Sequence, residues 1–174
     1  NAYSINALYK NEHEITESIS IKFENGKKHI LKNGKKIFDR KELINTIPCI
    51  VFCHEDMDFI TGEPERRRFF LDQSISLHNA MYIDSMRRYK KILKSRNLIL
   101  KEQNFELLPV FTENLINEGM EIVKKREDIV YFFNKYLKTL YEQVSGINDI
   151  ELVYQSSWKK KSKEEIHTYL QSKI

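Results

Sequence analysis

Residues 108–146 read LPVFTENLINEGMEIVKKREDIVYFFNKYLKTLYEQVSG, with an apolar or aromatic residue at every seventh position. The members of this repeat are Leu108, Leu115, Ile122, Ile129 and Tyr136. A repeat of seven places its members on one face of a helix that packs against another helix. Pro109 suits the first turn of such a helix, and Gly146 suits the residue that ends it. The pattern therefore predicts one long helix between Pro109 and Gly146.

Two shorter helical segments precede the long one. Pro64 follows a turn at Gly62 and fits a first helical position, so a helix is predicted from Glu63 to about Leu77. The next segment spaces its apolar residues by three, four or seven: Tyr82, Met86, Tyr89, Leu93 and Leu100. This segment joins the long helix around residues 103–105. The two helices are therefore predicted to form an antiparallel hairpin with a shallow crossing angle.

The first forty residues instead alternate polar and apolar positions and contain two Asn-Gly pairs, at 25–26 and 33–34. Asn-Gly favours two-residue hairpin turns, so we expect an antiparallel β-meander. Further along, the sequence predicts a helical turn at 41–46, a buried strand at 49–53, a strand at 150–154 and an amphipathic helix at about 162–172. The predicted fold class is α+β, with segments 1–62, 63–146 and 147–174.

Composition excludes a disordered chain, since 41% of the 174 residues are hydrophobic and 31% are charged. The net charge of +4 and the pI of about 8.9 favour an anionic partner only mildly. No apolar run approaches the ~20 residues of a membrane span. We therefore expect no membrane contact and a cytoplasmic location.

The two cysteines, Cys49 and Cys53, lie four residues apart in the predicted strand. That spacing separates them by about 13 Å, which is too far for a disulfide. Both are predicted to be buried free thiols. The chain has no Gly-rich phosphate loop and no cluster of metal ligands, so no catalytic residue and no metal site are predicted in it.

Glu55 and Asp56 follow the predicted strand 49–53. Carboxylates at the end of a buried strand can orient a water or a magnesium ion beside a ligand. Acidic residues are also favoured where a helix begins. Both interpretations fit the sequence.

Arg66, Arg67 and Arg68 occupy the first turns of a predicted helix, where cations oppose the helix dipole. Neighbouring acids, among them Asp72 four residues after Arg68, would compensate the charge. Alternatively, the arginines contact a nucleotide, DNA or a neighbouring lobe.

The second predicted helix carries many cations. The candidates for DNA contact are Arg87, Arg88, Lys91, Lys94, Arg96 and Lys101. A cationic helix face can follow a phosphate backbone. The alternative is a solvated helix side without a ligand.

Three ordered blocks resemble the RecF family: IVFCHEDMDFITG at 50–62, RRFFLD at 67–72 and YKKILKSRNLILK at 89–101. Residues 120–126 and 153–158 are similar to weaker, later blocks of the family. One departure is His54, which stands where the family usually has Pro.

The resemblance implies a DNA recombination and repair ATPase of the SMC and ABC type. In such a protein the meander belongs to the ATPase head, Glu55 and Asp56 lie near the Q-loop, and residues 66–146 form a helical arm. It also implies ATP and Mg²⁺ in the full-length parent but no cofactor in this fragment. Expected partners are DNA, RecO, RecR and a second copy, with ATP between two heads.

This chain contains no Walker A, signature or Walker B motif, so it is expected to be the central part of such a protein and to hydrolyse no ATP by itself. The alternative function is a stand-alone interaction module, in which a helical hairpin on a small sheet docks a protein partner without nucleotide.

Overall fold

The computed structural model describes residues 2–39, 41–44, 46 and 53–174, with the backbone alone at residues 54, 55 and 58. The chain divides into two compact units, residues 1–49 and residues 50–174. The fold class is α+β, as predicted. The predicted strand at 49–53 lies largely outside the described residues.

The first unit is a four-stranded antiparallel meander in the order β1-β2-β3-β4. Its strands are β1 (Tyr3–Lys10), β2 (Thr16–Glu24), β3 (Lys27–Lys32) and β4 (Lys35–Ile37), and the helical turn α1 (Lys41–Ile44) follows. A row of isoleucines crosses the sheet because each pairs with the next: Ile5, Ile21, Ile30 and Ile37. Such cross-strand apolar pairs stabilise the register.

Both predicted Asn-Gly turns are present. Asn25 and Gly26 have φ angles of 50° and 73°, and Asn33 and Gly34 have φ angles of 50° and 76°. Two successive residues in the left-handed region match the twist of the flanking strands. The prediction of a meander is therefore confirmed, together with the reason for its tight connections.

The second unit is helical. After a 3₁₀ helix (His54–Met57) it contains α2 (Asp58–Thr61), α3 (Pro64–His78), α4 (Met81–Lys101), α5 (Leu108–Ser145) and α6 (Lys163–Gln171). Gly146 ends α5 in the left-handed conformation, with φ of 73°. The predicted bounds of α3, α5 and α6 are thus confirmed to within two residues, and α4 contains all the apolar positions that were predicted for it.

The helices α4 and α5 form the predicted antiparallel hairpin, and α3 packs on α5 beside them. The core that the three helices share includes Leu71, Ile75, Tyr82, Ile122 and Ile129. Four members of the repeat of seven are buried, but Tyr136 is 55% exposed. The expectation that Tyr136 belongs to the packed face is wrong within this unit, because α5 continues past the core cluster.

The C-terminal segment packs along α5 without forming a strand. The strand predicted at 150–154 is wrong: the segment is irregular, and the side chain of Asn134 binds its backbone. Asn134 Nδ2 donates to the Leu152 carbonyl and Asn134 Oδ1 accepts from the Leu152 amide, both at 2.9 Å. The apolar residues of 150–154 suggested that this segment pairs with another strand. Instead, the side-chain amide of Asn134 makes the two backbone hydrogen bonds at Leu152.

The chain ends in α6, which begins with a capping box. The Ser162 hydroxyl accepts from the Glu165 amide, and the Glu165 carboxylate accepts from the Ser162 amide. Ile166 anchors the helix with an exposed fraction of 0%. The capped start and the apolar anchor confirm the amphipathic helix predicted here.

Cys53 is exposed, so the prediction that it is buried is wrong. It immediately precedes the 3₁₀ helix, and its backbone amide bonds to Asp56 in a surface turn. Across the described part of the chain, no helix is both long enough and apolar enough to cross a membrane.

Candidate nucleic-acid interface

The solvent face of α4 carries Arg87, Lys91 and Lys94, all exposed. These residues are four and three positions apart, so they lie on the same side of the helix. Arg87 forms an ion pair with Asp84, with Nη1 and Oδ1 separated by 3.2 Å. Lys101 is also exposed, in the last turn of α4. The geometry therefore gathers three of the predicted DNA-contacting cations on one accessible surface, which we call the α4 basic surface: Arg87, Lys91 and Lys94.

Two other candidates on α4 face α5 instead. Arg88 Nε lies 2.8 Å from Glu118 Oε1, and this carboxylate raises the pKa of Arg88. Arg96 is only 6% exposed, and its Nε donates to the Thr112 hydroxyl at 3.0 Å. Burial lowers the pKa of Arg96. Because both guanidinium groups join the two helices of the hairpin, we leave them out of the surface that a ligand would meet.

The three arginines at the start of α3 are all exposed. Arg67 Nη1 donates to the Gly62 carbonyl at 2.8 Å and so closes the turn before the helix. The expected pairing of Arg68 with Asp72 is not formed. Asp72 points instead to α5, where it binds Arg126.

Asp72 and Arg126 are the centre of a partly buried polar network between α3, α4 and α5. Arg126 Nε and Nη2 donate to the two Asp72 oxygens at 2.8 and 2.9 Å, and the Tyr82 hydroxyl donates to Asp72 Oδ1 at 2.7 Å. Burial opposes the charge on Arg126, but its hydrogen bonds to the Asp72 carboxylate outweigh burial and raise its pKa. Burial and the bond to Asp72 raise the pKa of Tyr82. The network holds three helices in one geometry.

Arg126 was not singled out from the sequence, although a signal for it exists. It lies four residues after Ile122 and three before Ile129, on the apolar face of α5. A charged residue within a packing face needs a buried partner. The partner, Asp72, is 54 residues away, so the sequence alone does not identify it.

Of the two acidic candidates Glu55 and Asp56, the structure shows a structural role for Asp56. Asp56 Oδ2 accepts from the Cys53 amide at 2.7 Å, as an acid at the third position of a helical turn does. The side chain of Glu55 lies outside the described residues. In the described part of the chain, no group of three or more His, Cys, Asp or Glu side chains could hold a metal ion.

The four-stranded meander and the long helical hairpin define the class of the protein as an α+β chain. It is similar to two solved structures of the recombination mediator protein RecF in the RecFOR pathway, RecF-ATPrS and RecF-ATP, with TM-scores of 0.81 and 0.80 and identities of 25% and 24%. These alignments cover 99% and 98% of this chain and 49% of each RecF chain. The chain belongs to the RecF family.

Curated relatives support the same assignment. The DNA replication and repair protein RecF of Treponema pallidum is 40% identical over 166 residues, which are 95% of this chain and 47% of that protein. Its counterpart in Clostridium perfringens is 35% identical over 139 residues, 78% of this chain and 38% of that protein. The chain therefore spans less than half the length of these relatives. No protein-family model matches the sequence.

Proposed function

We propose that this chain is the part of a RecF protein that carries its helical arm, and that the α4 basic surface contacts DNA. The observation that carries the proposal is the exposure of Arg87, Lys91 and Lys94 on one face of α4. From Arg87 to Lys94 the helix rises about 10 Å. Along one strand of a duplex this is about three phosphate steps. The spacing of the cations therefore suits a phosphate backbone.

The full-length parent, by the same proposal, is a cytoplasmic ATP-dependent DNA clamp that aids recombinase loading at gaps. It binds ATP and Mg²⁺, dimerises with ATP between its heads and acts with RecO and RecR. The names of the similar structures, RecF-ATP and RecF-ATPrS, support the nucleotide part of this proposal. Residues 1–62 would belong to the head, residues 63–146 to the arm and residues 147–174 to the return towards the head.

In that parent, Glu55 and Asp56 would lie beside the nucleotide, in a turn that corresponds to the Q-loop. The chain itself has no Gly-rich phosphate loop. We therefore expect no ATP hydrolysis from the purified chain, because its sequence lacks the Gly-rich motif that holds a triphosphate. Steady ATP turnover by the pure chain would contradict this expectation.

The proposal is tested by measuring the binding of a short labelled DNA duplex by fluorescence anisotropy at several salt concentrations. The triple variant Arg87→Glu, Lys91→Glu and Lys94→Glu should weaken binding. It should also reduce the salt-dependence slope by up to about 2.7, because each phosphate contact contributes roughly 0.9. The matched control reverses three exposed lysines of α5, Lys124, Lys135 and Lys138, and so changes the net charge equally. If both triple variants lose the same affinity, the effect is one of net charge and the α4 basic surface is not the contact.

A second candidate is a protein-docking module that uses the end of α5. Tyr136, Leu140 and Val144 are 55%, 59% and 89% exposed and lie four residues apart, so they form one apolar strip. Under this alternative, replacing Leu140 and Val144 by Ser would abolish partner binding and leave DNA binding unchanged. The two functions are therefore separable on different helices.

A further inference from the structure

A cavity of about 570 Å³ lies in the second unit between the first turns of α3, the middle of α5 and the irregular segment 152–157. The volume is in the usual range for a small-ligand site. Its apolar walls include Leu71, Val130 and Leu152. The cavity is distinct from the α4 basic surface, since neither Arg87, Lys91 nor Lys94 lines it.

Three guanidinium groups line this cavity, those of Arg67, Arg68 and Arg126. Among its described lining residues there is no carboxylate. The charge of Arg126 is balanced by its ion pair with Asp72, which does not line the cavity. Neither Arg67 nor Arg68 forms an ion pair with a described residue, and Arg68 also forms no hydrogen bond with one. Two positive charges therefore remain for an anion to neutralise.

Three hydroxyl groups also belong to the lining of the cavity. Tyr154, Ser156 and Ser157 line the cavity from the C-terminal segment. The segment is fixed on both sides of the cavity, by the Asn134 amide at Leu152 and by the contact of Trp158 with Gly119. The donors therefore stand on fixed backbone, so little ordering is required when a ligand binds.

We propose that this cavity binds a phosphate group, through Arg68 and Arg67 from α3 and the hydroxyls of Ser156 and Ser157. Guanidinium groups pair with phosphate oxygens in a bidentate geometry, and hydroxyls donate to the oxygens that remain. The phosphate belongs either to a nucleotide or to a nucleic-acid backbone, which present the same oxygens to the cavity. This inference goes beyond the DNA contact proposed for α4 and does not depend on it.

The test is isothermal titration of the whole chain with inorganic pyrophosphate, and in parallel with ADP and with a short DNA duplex. Arg68→Gln should lower the affinity for pyrophosphate about tenfold, as expected for the loss of one charge-assisted hydrogen bond of about 1.5 kcal/mol. The control, Lys138→Gln, removes the same charge from an exposed position on α5 and should leave the affinity unchanged. Thermal unfolding of both variants should match the parent chain.

The ADP and duplex arms identify the source of the phosphate. If Arg68→Gln weakens ADP binding, the ligand is a nucleotide, and if it weakens only duplex binding, the ligand is a backbone phosphate. The proposal is overturned if pyrophosphate shows no binding at millimolar concentration, or if Lys138→Gln lowers its affinity as much as Arg68→Gln. Binding of an acidic peptide in the absence of any phosphate binding would also overturn it.

Discussion

The indole ring of Trp158 occupies the space that a Cβ atom on Gly119 would fill. Gly119 is a buried residue in the middle of α5, where glycine ordinarily weakens a helix by about 1 kcal/mol relative to alanine. The close approach explains its presence, because it lets the C-terminal segment lie directly on the helix. Gly119 and Trp158 are thus two halves of one packing contact.

Gly119→Ala should therefore destabilise the second unit, although alanine is the better helix former. We expect the free energy of unfolding to fall by about 1–3 kcal/mol, as for an overpacked core. Urea unfolding followed by circular dichroism measures the change. In a Trp158→Ala background the same substitution should instead stabilise the helix by up to about 1 kcal/mol. A loss of equal size in both backgrounds would show that the indole is not the cause.

Asp72→Asn should cost about 3 kcal/mol of unfolding free energy, because it leaves the charge of Arg126 without its carboxylate. The two side chains are 20% and 12% exposed, so water compensates little. Asp128→Asn, at an exposed position of α5, removes the same charge and serves as the control. In the double variant Asp72→Asn and Arg126→Met, the loss should be smaller than the sum of the single losses. Strict additivity would mean that the pair is not coupled.

Stability of the second unit should decrease in alkaline solution because of Tyr82. Its pKa is raised in the fold, while the unfolded chain has a tyrosine pKa near 10. The unfolded state therefore loses this proton first. The contribution of protonated Tyr82 to the free energy of unfolding is therefore complete below about pH 10. It is lost as the pH rises through the pKa that Tyr82 has in the folded state.

Tyr82→Phe removes that titration together with one hydrogen bond to Asp72. We expect it to cost about 1–2 kcal/mol at neutral pH. It should also flatten the decrease of stability above about pH 10. Unfolding free energies measured in urea between pH 7 and 11 give both quantities. A variant with the same alkaline slope as the parent chain would assign the titration to another group.

Asn134→Ala should release the C-terminal segment from α5, since both hydrogen bonds to Leu152 depend on this one amide. We expect a loss of about 2 kcal/mol, from two hydrogen bonds of about 1 kcal/mol each. Hydrogen exchange at the Leu152 amide should accelerate. Asn114→Ala, on the exposed side of the same helix, provides the comparison and should leave that exchange rate unchanged. Equal exchange rates in the two variants would argue against the role of Asn134.

The elements that the sequence predicted well are those with local causes. The Asn-Gly pairs need only their own backbone angles, and the repeat of seven in α5 needs only helical geometry. Long apolar periodicity with Pro109 at one end and Gly146 at the other leaves few alternatives. For this reason the meander and the long helices were predicted within a few residues of their observed bounds.

The predictions that failed depend on partners distant in the sequence. Whether 150–154 is a strand is decided by Asn134, and whether Arg96 faces solvent is decided by Thr112 on the neighbouring helix. The four-residue helical spacing predicts that Asp72 pairs with Arg68, but in the structure Asp72 binds the partly buried guanidinium of Arg126 on α5. Sequence periodicity shows which face a residue is on, and it does not show what faces it.

The dependence of the C-terminal segment on α5 also bears on the order in which the chain acquires its structure. Residues 150–158 form no helix or strand of their own, and the ribosome synthesises their anchors, Asn134 and Gly119, before it synthesises them. The segment therefore has nothing to fold upon until the long helix exists. An internal deletion within α5 would therefore leave the tail exposed to proteases and chaperones, even though every residue of the tail is intact.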